Sequence, residues 1–339
     1  MIFNTPILSI KPLGFMWPTT NPFLFCAHHR DLYPAGNEKM GPAASLSGRD
    51  IGQDFTPKDG WRMYHGQEIP GFPVHPHRGF ETITIVKEGF VDHSDSHGQA
   101  GRFGQGDVQW MTAGSGLQHC EMFPLLNQDG PNPAELFQIW LNMPKANKFA
   151  APYYKMLWSE EIPKQVFKDA NGRTCEVTQI AGSLDGQGAL PNAPDSWASN
   201  PDHEVAVWTI KLEPGAVWVL PSASEQVNRT LYFHVGNSLV INQTKVDSGH
   251  AISLKANQSI QIENGDSESH LLLLQGKPID EPIVQHGPFV MNSKGEIQEA
   301  FEEYNATEFG GWPWPSREMV HPREKGRFAK YNNGVEETR

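Results

Sequence analysis

The chain has 339 residues, too many for one ordinary hydrophobic core, so two domains are expected. Hydrophobic residues make up 38% and charged residues 19%, a balance that excludes a disordered chain. A net charge of −12 argues against direct nucleic-acid binding, which needs a basic face. The opening stretch, residues 1–15, is apolar but lacks a basic n-region and a small-residue cleavage site, so it reads as a first strand rather than a signal peptide. No apolar run approaches the ~18 residues of a membrane span. Cys26, Cys120 and Cys175 form neither a disulfide framework nor a CxxC pattern, and with the rest they predict a cytoplasmic protein.

In chain order, period-2 alternation dominates residues 80–145. FETITIVKEGFV, VDHSDSHG, DVQWMTAG, LQHCEMF and ELFQIWLNMP read as strands, parted by turns at Glu88-Gly89, Gly104–Asp107 and Gly114–Gly116. Residues 181–202 are rich in Gly, Pro, Asn and Asp and read as a long loop. A second β-rich run follows from Ala206 to Gly276, with turns placed much as in the first half, which suggests an internal duplication. EIQEAFEEYNATE reads as a helix over 296–308, and the mixed-charge end as a solvated tail. Short strands with glycine turns at this spacing predict an all-β protein of sandwiches or barrels.

His75-Pro76-His77 puts two imidazoles on one face of a strand, because residues i and i+2 share a face. His119-Cys120-Glu121 repeats that spacing on a later strand. Either pair alone arises by chance about as often as not. Together they offer three nitrogens and a carboxylate, which suits a divalent first-row metal. Pro76 cannot donate to a ladder, so its strand is expected at a sheet edge or at its own beginning. Cys120, between two such residues, should face the other way as a small buried side chain. His93 and His97 read as exposed hairpin residues, with support of the metal ligands as the alternative, and Trp110, Met111 and Phe80 read as packing. Gln138 is equally compatible with the cavity or the core. His28 and His29 are adjacent and so face opposite ways.

The stretches HPHRGFETITIVKEG (75–89) and GDVQWMTAGSGLQHCEM (106–122) resemble the pirin family of the cupin superfamily. So do NPFLFCAHH (21–29), LFQIWLNMP (136–144) and PIVQHGPFVMN (282–292). The resemblance implies an all-β bicupin of two antiparallel β-barrels (double-stranded β-helices) with a short C-terminal helix. Its expected parts are a metal-binding barrel over 1–150, a connecting segment and long loop over 151–203, a metal-free barrel with the helix over 204–310, and a tail over 311–339. It implies one metal held by His75, His77, His119 and Glu121, usually Fe(2+), a ligand set that also accepts Mn, Co, Ni, Cu or Zn. Glu81 occupies the carboxylate position of common cupins and is expected to orient an imidazole instead.

Two functions follow from the resemblance. One is a quercetin 2,3-dioxygenase-like oxidoreductase, acting on a small phenolic substrate with O₂, with Glu121 as the catalytic base. The alternative is an iron-dependent redox-sensing regulatory protein, with a protein partner and no turnover. Compared with compact members of the family, the chain carries extra residues around 37–68 and 183–203, and these put the substrate rather than the metal in question.

Overall fold

The computed structural model describes residues 5–339. Its contacts divide the chain into two compact units, neither continuous in sequence. The first combines His28–Gln138, Met143–Ser159 and Glu281–Arg339. The second combines the chain up to Ala27, Ile139–Asn142 and Glu160–Asp280. The first strand shows why the boundaries are not where a linear reading sets them. Ile7–Pro12 pairs antiparallel with His250–Lys255, not with any strand of residues 28–150. Alternation identifies a strand, but its partner is chosen by long-range packing.

In the first unit a six-stranded sheet runs in the order Glu336–Thr338, Phe328–Lys330, Ala100–Gly104, Phe90–Asp95, Leu117–Met122, Gly71–His77. A second sheet gives this unit, in order, Tyr153–Leu157, Val108–Thr112, Phe80–Glu88, residues 132–138 and residues 28–33. Val91 and Phe103 from the one, and Val86, Leu136 and Met156 from the other, are buried in one core cluster. The second unit repeats the plan with a seven-stranded and a four-stranded sheet, whose core includes Leu231, Leu273, Ile210, Trp218, Ile241 and Ile262. The all-β, two-cupin architecture is therefore present, with open sheets that share a core rather than closed barrels. The helix spans Lys294–Thr307, and the Ser293 side chain accepts from the Glu296 N–H at its start. Among the described residues no helix is long and apolar enough to cross a membrane.

Pro76 lies on an outer strand of its sheet, as its missing N–H demands. Directly after it, Gly79 turns the chain from His77 into Phe80 with φ +84°, and a Cβ there would collide with the Val290 carbonyl. Only glycine fits both conditions. Residues 37–68 are not a loose insertion. Arg62 donates to both carboxylate oxygens of Asp31 (2.9 and 3.2 Å), Tyr64 donates to the same carboxylate at 2.6 Å, and Trp61, Met63 and Tyr64 are buried.

The expected solvated tail is corrected by the structure. Phe328–Lys330 extends the edge at Ala100–Gly104, and Phe328 and Ala329 are buried. Arg102 anchors the approach to this strand. Its guanidinium is fully buried, forks onto Asp92 (2.7 Å twice), and donates to the carbonyls of His321 (2.8 Å) and Pro322 (2.9 Å). A charge-rich composition hid a strand because its few apolar residues find a partner far away in sequence.

Two expectations test this packing. Phe328→Ala should cost about 3–5 kcal/mol of unfolding free energy, the range for emptying a buried aromatic site, read by denaturant titration; a solvated tail would show almost no change. His29 sits among Tyr64, Phe72 and Phe123, and burial, aided by Arg62 and His28, pushes its pKa down to about 3. Below its ordinary 6.5 the unfolded chain takes up a proton on this ring that the folded chain refuses, so stability falls as pH drops towards 3. His29→Phe should reduce the loss between pH 7 and pH 5 by about 2 kcal/mol. An unchanged pH dependence would show that the ring is not held neutral.

Candidate metal centre

Register brings the two motifs together. Gly71–His77 and Leu117–Met122 are adjacent antiparallel strands in which His75 is opposite His119 and His77 opposite Leu117. Directly opposed residues share a face, as do residues two apart, so His75, His77, His119 and Glu121 lie on one side. Ring centroids are 4.4 Å apart for His75–His119, 4.8 Å for His75–His77 and 5.0 Å for His77–His119. One nitrogen from each of the three rings falls within 4.8 Å of the others.

Backbone carbonyls orient two of the rings. His75 Nδ1 lies 2.8 Å from the Pro73 oxygen, and His77 Nδ1 lies 3.4 Å from that of Pro288. A carbonyl only accepts, so each Nδ1 carries the proton and each Nε2 keeps its lone pair. His119 is fully buried, and neither of its ring nitrogens has a hydrogen-bond partner among the described residues. Burial lowers His75 to about 4 and holds His77 and His119 well below the usual imidazole range, with neighbouring imidazoles adding to the effect. Three neutral imidazoles with lone pairs turned inward are costly to bury alone, and a cation bound among them would offset that cost. These residues fit a metal ion.

Glu121 stands at the margin of this cluster, its Oε2 3.8 Å from His119 Nε2. Gln138 Nε2 donates to Oε2 at 2.8 Å. Thr84 Oγ1 lies 3.1 Å from Oε1 and 2.6 Å from Gln138 Oε1, one hydroxyl proton serving both. Burial raises the carboxyl pKa, while His93, Thr84 and Gln138 pull it back. Gln138 thus belongs to the site, one of the two readings open for it. Glu81 is fully buried on the neighbouring sheet. Three residues before Thr84, it lies on the opposite face of their strand and accepts from Trp110 Nε1 (3.1 Å) and Thr112 Oγ1 (2.7 Å).

His93 is the main correction. Expected as an exposed hairpin residue, it is 0% exposed and paired opposite Glu121. Its ring is 5.5 Å from His119, stacks on Tyr154 at 5.1 Å, and places Nε2 3.3 Å from Asp95 Oδ2. Its strand's register, invisible in sequence, puts it on the site face. His97, two residues past Asp95, is exposed as expected. Phe80, assigned to packing, also borders the centre, 5.0 Å from His77. Trp110 and Met111 are buried, and Cys120 faces away into Ile69, Val74 and Met122. His28 and His29 do point opposite ways. His28 meets Glu135 at 3.0 Å, and His29 packs in the aromatic cluster.

Comparison with known proteins places the chain among relatives of the same architecture. The Pirin family model matches residues 19–141, and that of the Pirin C-terminal cupin domain matches 207–310. The chain is 35% identical to Pirin of Homo sapiens over 253 residues, 73% of this chain and 80% of that protein. It is 34% identical to a pirin-like protein of Solanum lycopersicum over 279 residues, covering 80% and 89%. A crystal structure of quercetin 2,3-dioxygenase from Acinetobacter baumannii superposes with a TM-score of 0.68 at 27% identity, covering 90% of this chain and 98% of that one.

Metal content separates the roles assigned to these side chains. His119→Ala should lose stoichiometric metal after dialysis, measured by elemental analysis. Gln138→Leu should retain metal at roughly 10–100-fold weaker affinity, as expected for a residue that holds a ligand in place. Glu81→Gln should bind as the wild type does. Metal loss in the Glu81 variant, with none in the Gln138 variant, would overturn this division.

Proposed function

The chain belongs to the pirin family, and on that premise we propose that it is a metal-dependent dioxygenase that cleaves a flavonol-type phenolic ring with O₂. The observation that carries this reading is the convergence of His75, His77 and His119, with both nitrogens of His119 buried and unpartnered among the described residues. These three rings, with Glu121 beside them, would hold the metal, for which Fe(2+) is the proposed occupant. When bound, the metal would supply Lewis acidity towards a phenolic oxygen and one-electron chemistry with O₂.

The protein's own contribution is orientation, dryness and proton handling. The centre is lined by buried side chains, which strengthens every charge interaction inside it. Phe80 and Phe72, 5.0 Å from His77 and 6.4 Å from His75, provide flat apolar surface for an aromatic ring. Glu121 is placed to accept the proton of a substrate hydroxyl at a carboxylate oxygen. Its raised pKa brings it closer to that of the phenol it would deprotonate, and Gln138 and Thr84 fix its direction. The overall reaction is oxidative ring cleavage with both oxygen atoms entering the product.

Oxygen consumption on adding quercetin tests the reading. Wild type with stoichiometric iron should take up O₂. His119→Ala should show none, and Glu121→Gln should fall by about 10²–10⁴-fold, the usual range for a lost general base. Iron bound without uptake on quercetin or related flavonols would sink the dioxygenase reading and leave a metal-dependent binding role in its place.

A further inference from the structure

The second unit contains a buried cation, Arg229, with no ion-pair partner among the described residues. Arg229 lies on the strand Asn228–Val235 and is opposite Gln275 of Ser269–Gly276. It precedes Leu231 by two residues, and Gln275 follows Leu273 by two. Both leucines belong to the apolar core between the sheets, so by strand alternation Arg229 and Gln275 face inward at one end of that core. Arg229 is only 3% exposed. Its Nε donates to Gln275 Oε1 at 2.7 Å, and its Nη1 donates to the Pro221 carbonyl at 2.9 Å. Nη2 has no hydrogen-bond partner, and no carboxylate lies within ion-pair distance, among the described residues.

The nearest acid in the lining is otherwise engaged. Glu204 takes the Ser224 N–H at 3.1 Å on one oxygen and the Ser224 hydroxyl on the other. Burial lowers the guanidinium pKa to about 10, partly offset by the Glu204 charge, so Arg229 is still a cation at neutral pH. Burying a guanidinium against neutral acceptors alone is costly, and an arginine retained there invites an anion.

A cavity of about 540 Å³ opens at this point. Its walls include Trp208, Val205 and Leu190 as well as Arg229, and the loop from Gly182 to Pro201 forms much of its border. That volume falls in the range of small-molecule sites, and the mixture of apolar walls with one convergent polar group is the usual pattern of such sites. We propose that this cavity binds a monocarboxylate with an aromatic or similarly apolar body, its carboxylate on the free edge of the Arg229 guanidinium and its ring against Trp208. The planar fork of arginine matches a carboxylate in two-point contact. The Glu204 charge on the same cavity disfavours a second negative group, which excludes phosphate esters and dicarboxylates. Residues 183–203, an extension of the connecting loop, thereby gain a role as part of the wall of a ligand site.

Calorimetric titration of the full chain with sodium benzoate, and with benzamide as its neutral isostere, tests the site. Benzoate should bind at least tenfold more tightly than benzamide. Arg229→Met should weaken benzoate at least tenfold, Glu204→Gln should tighten it severalfold, and His119→Ala in the other unit should leave it unchanged. Absence of benzoate binding, equal binding of benzamide, or loss in His119→Ala with retention in Arg229→Met would each overturn the proposal. Should Arg229→Met fail to fold by circular dichroism, the Glu204→Gln result decides alone, and affinity that does not rise overturns it. None of these readouts depends on oxygen chemistry, so the site and the dioxygenase reading fail separately.

Discussion

The antiparallel register that sets His75 opposite His119 is the constraint on which the candidate centre depends. Side chains alternate with a period of two, so a slip of one residue would send one histidine pair to the far face. The ladder on the other side of that strand places Glu121 opposite His93, and alternation sends Cys120 into the apolar layer behind. Several neighbours fix the register at once. Pro76 occupies an outer strand where its missing donor costs nothing, a bulge between Phe72 and His75 adjusts the spacing, and Gly79 makes the turn that only glycine can make.

Rigid support surrounds this ladder. Carbonyls of Pro73 and Pro288 select the tautomers of His75 and His77, and Gln138 with Thr84 orients Glu121. Lys148, fully buried, donates to the carbonyls of Gly79 and Val290, tying the turn after the histidine pair to the segment before the helix. Burial lowers its pKa to about 8. Arg102 and Asp92 perform the same service for the C-terminal strand with a fully buried, two-point ion pair. Such pairs contribute little net stability against apolar replacements, but losing one partner is costly, so they fix position more than they add strength.

The two units use one plan to different ends. In the first, polar side chains converge at the inner face of a sheet and form the candidate centre. In the second, Leu231, Leu273, Ile210 and Trp218 belong to an apolar core, and Arg229 and Gln275 pair at one end of it. The fold tolerates both because an open pair of sheets needs a filled core but leaves its ends free to carry chemistry.

By itself the sequence marked the strands of residues 80–145 and 206–276, a helix over 296–308 that the structure places at Lys294–Thr307, and the two histidine motifs, while the two-cupin class came from resemblance to a family. The strands, the helix and the motifs follow from local rules: periods of two and 3.6, glycine and proline turns, and the i, i+2 geometry of a strand. Pairing was beyond it. Ile7–Pro12 joins the far half of the chain, Phe328–Lys330 leaves its expected solvated tail for a sheet edge, and His93 moves from an expected hairpin surface to the face of the candidate centre. The bonds that Glu81 accepts from Trp110 and Thr112 likewise come from a neighbouring strand. The physical reason is common to all four. Alternation states that a residue faces one side of a strand, but which side is buried, and against what, depends on partners that only the folded chain brings together.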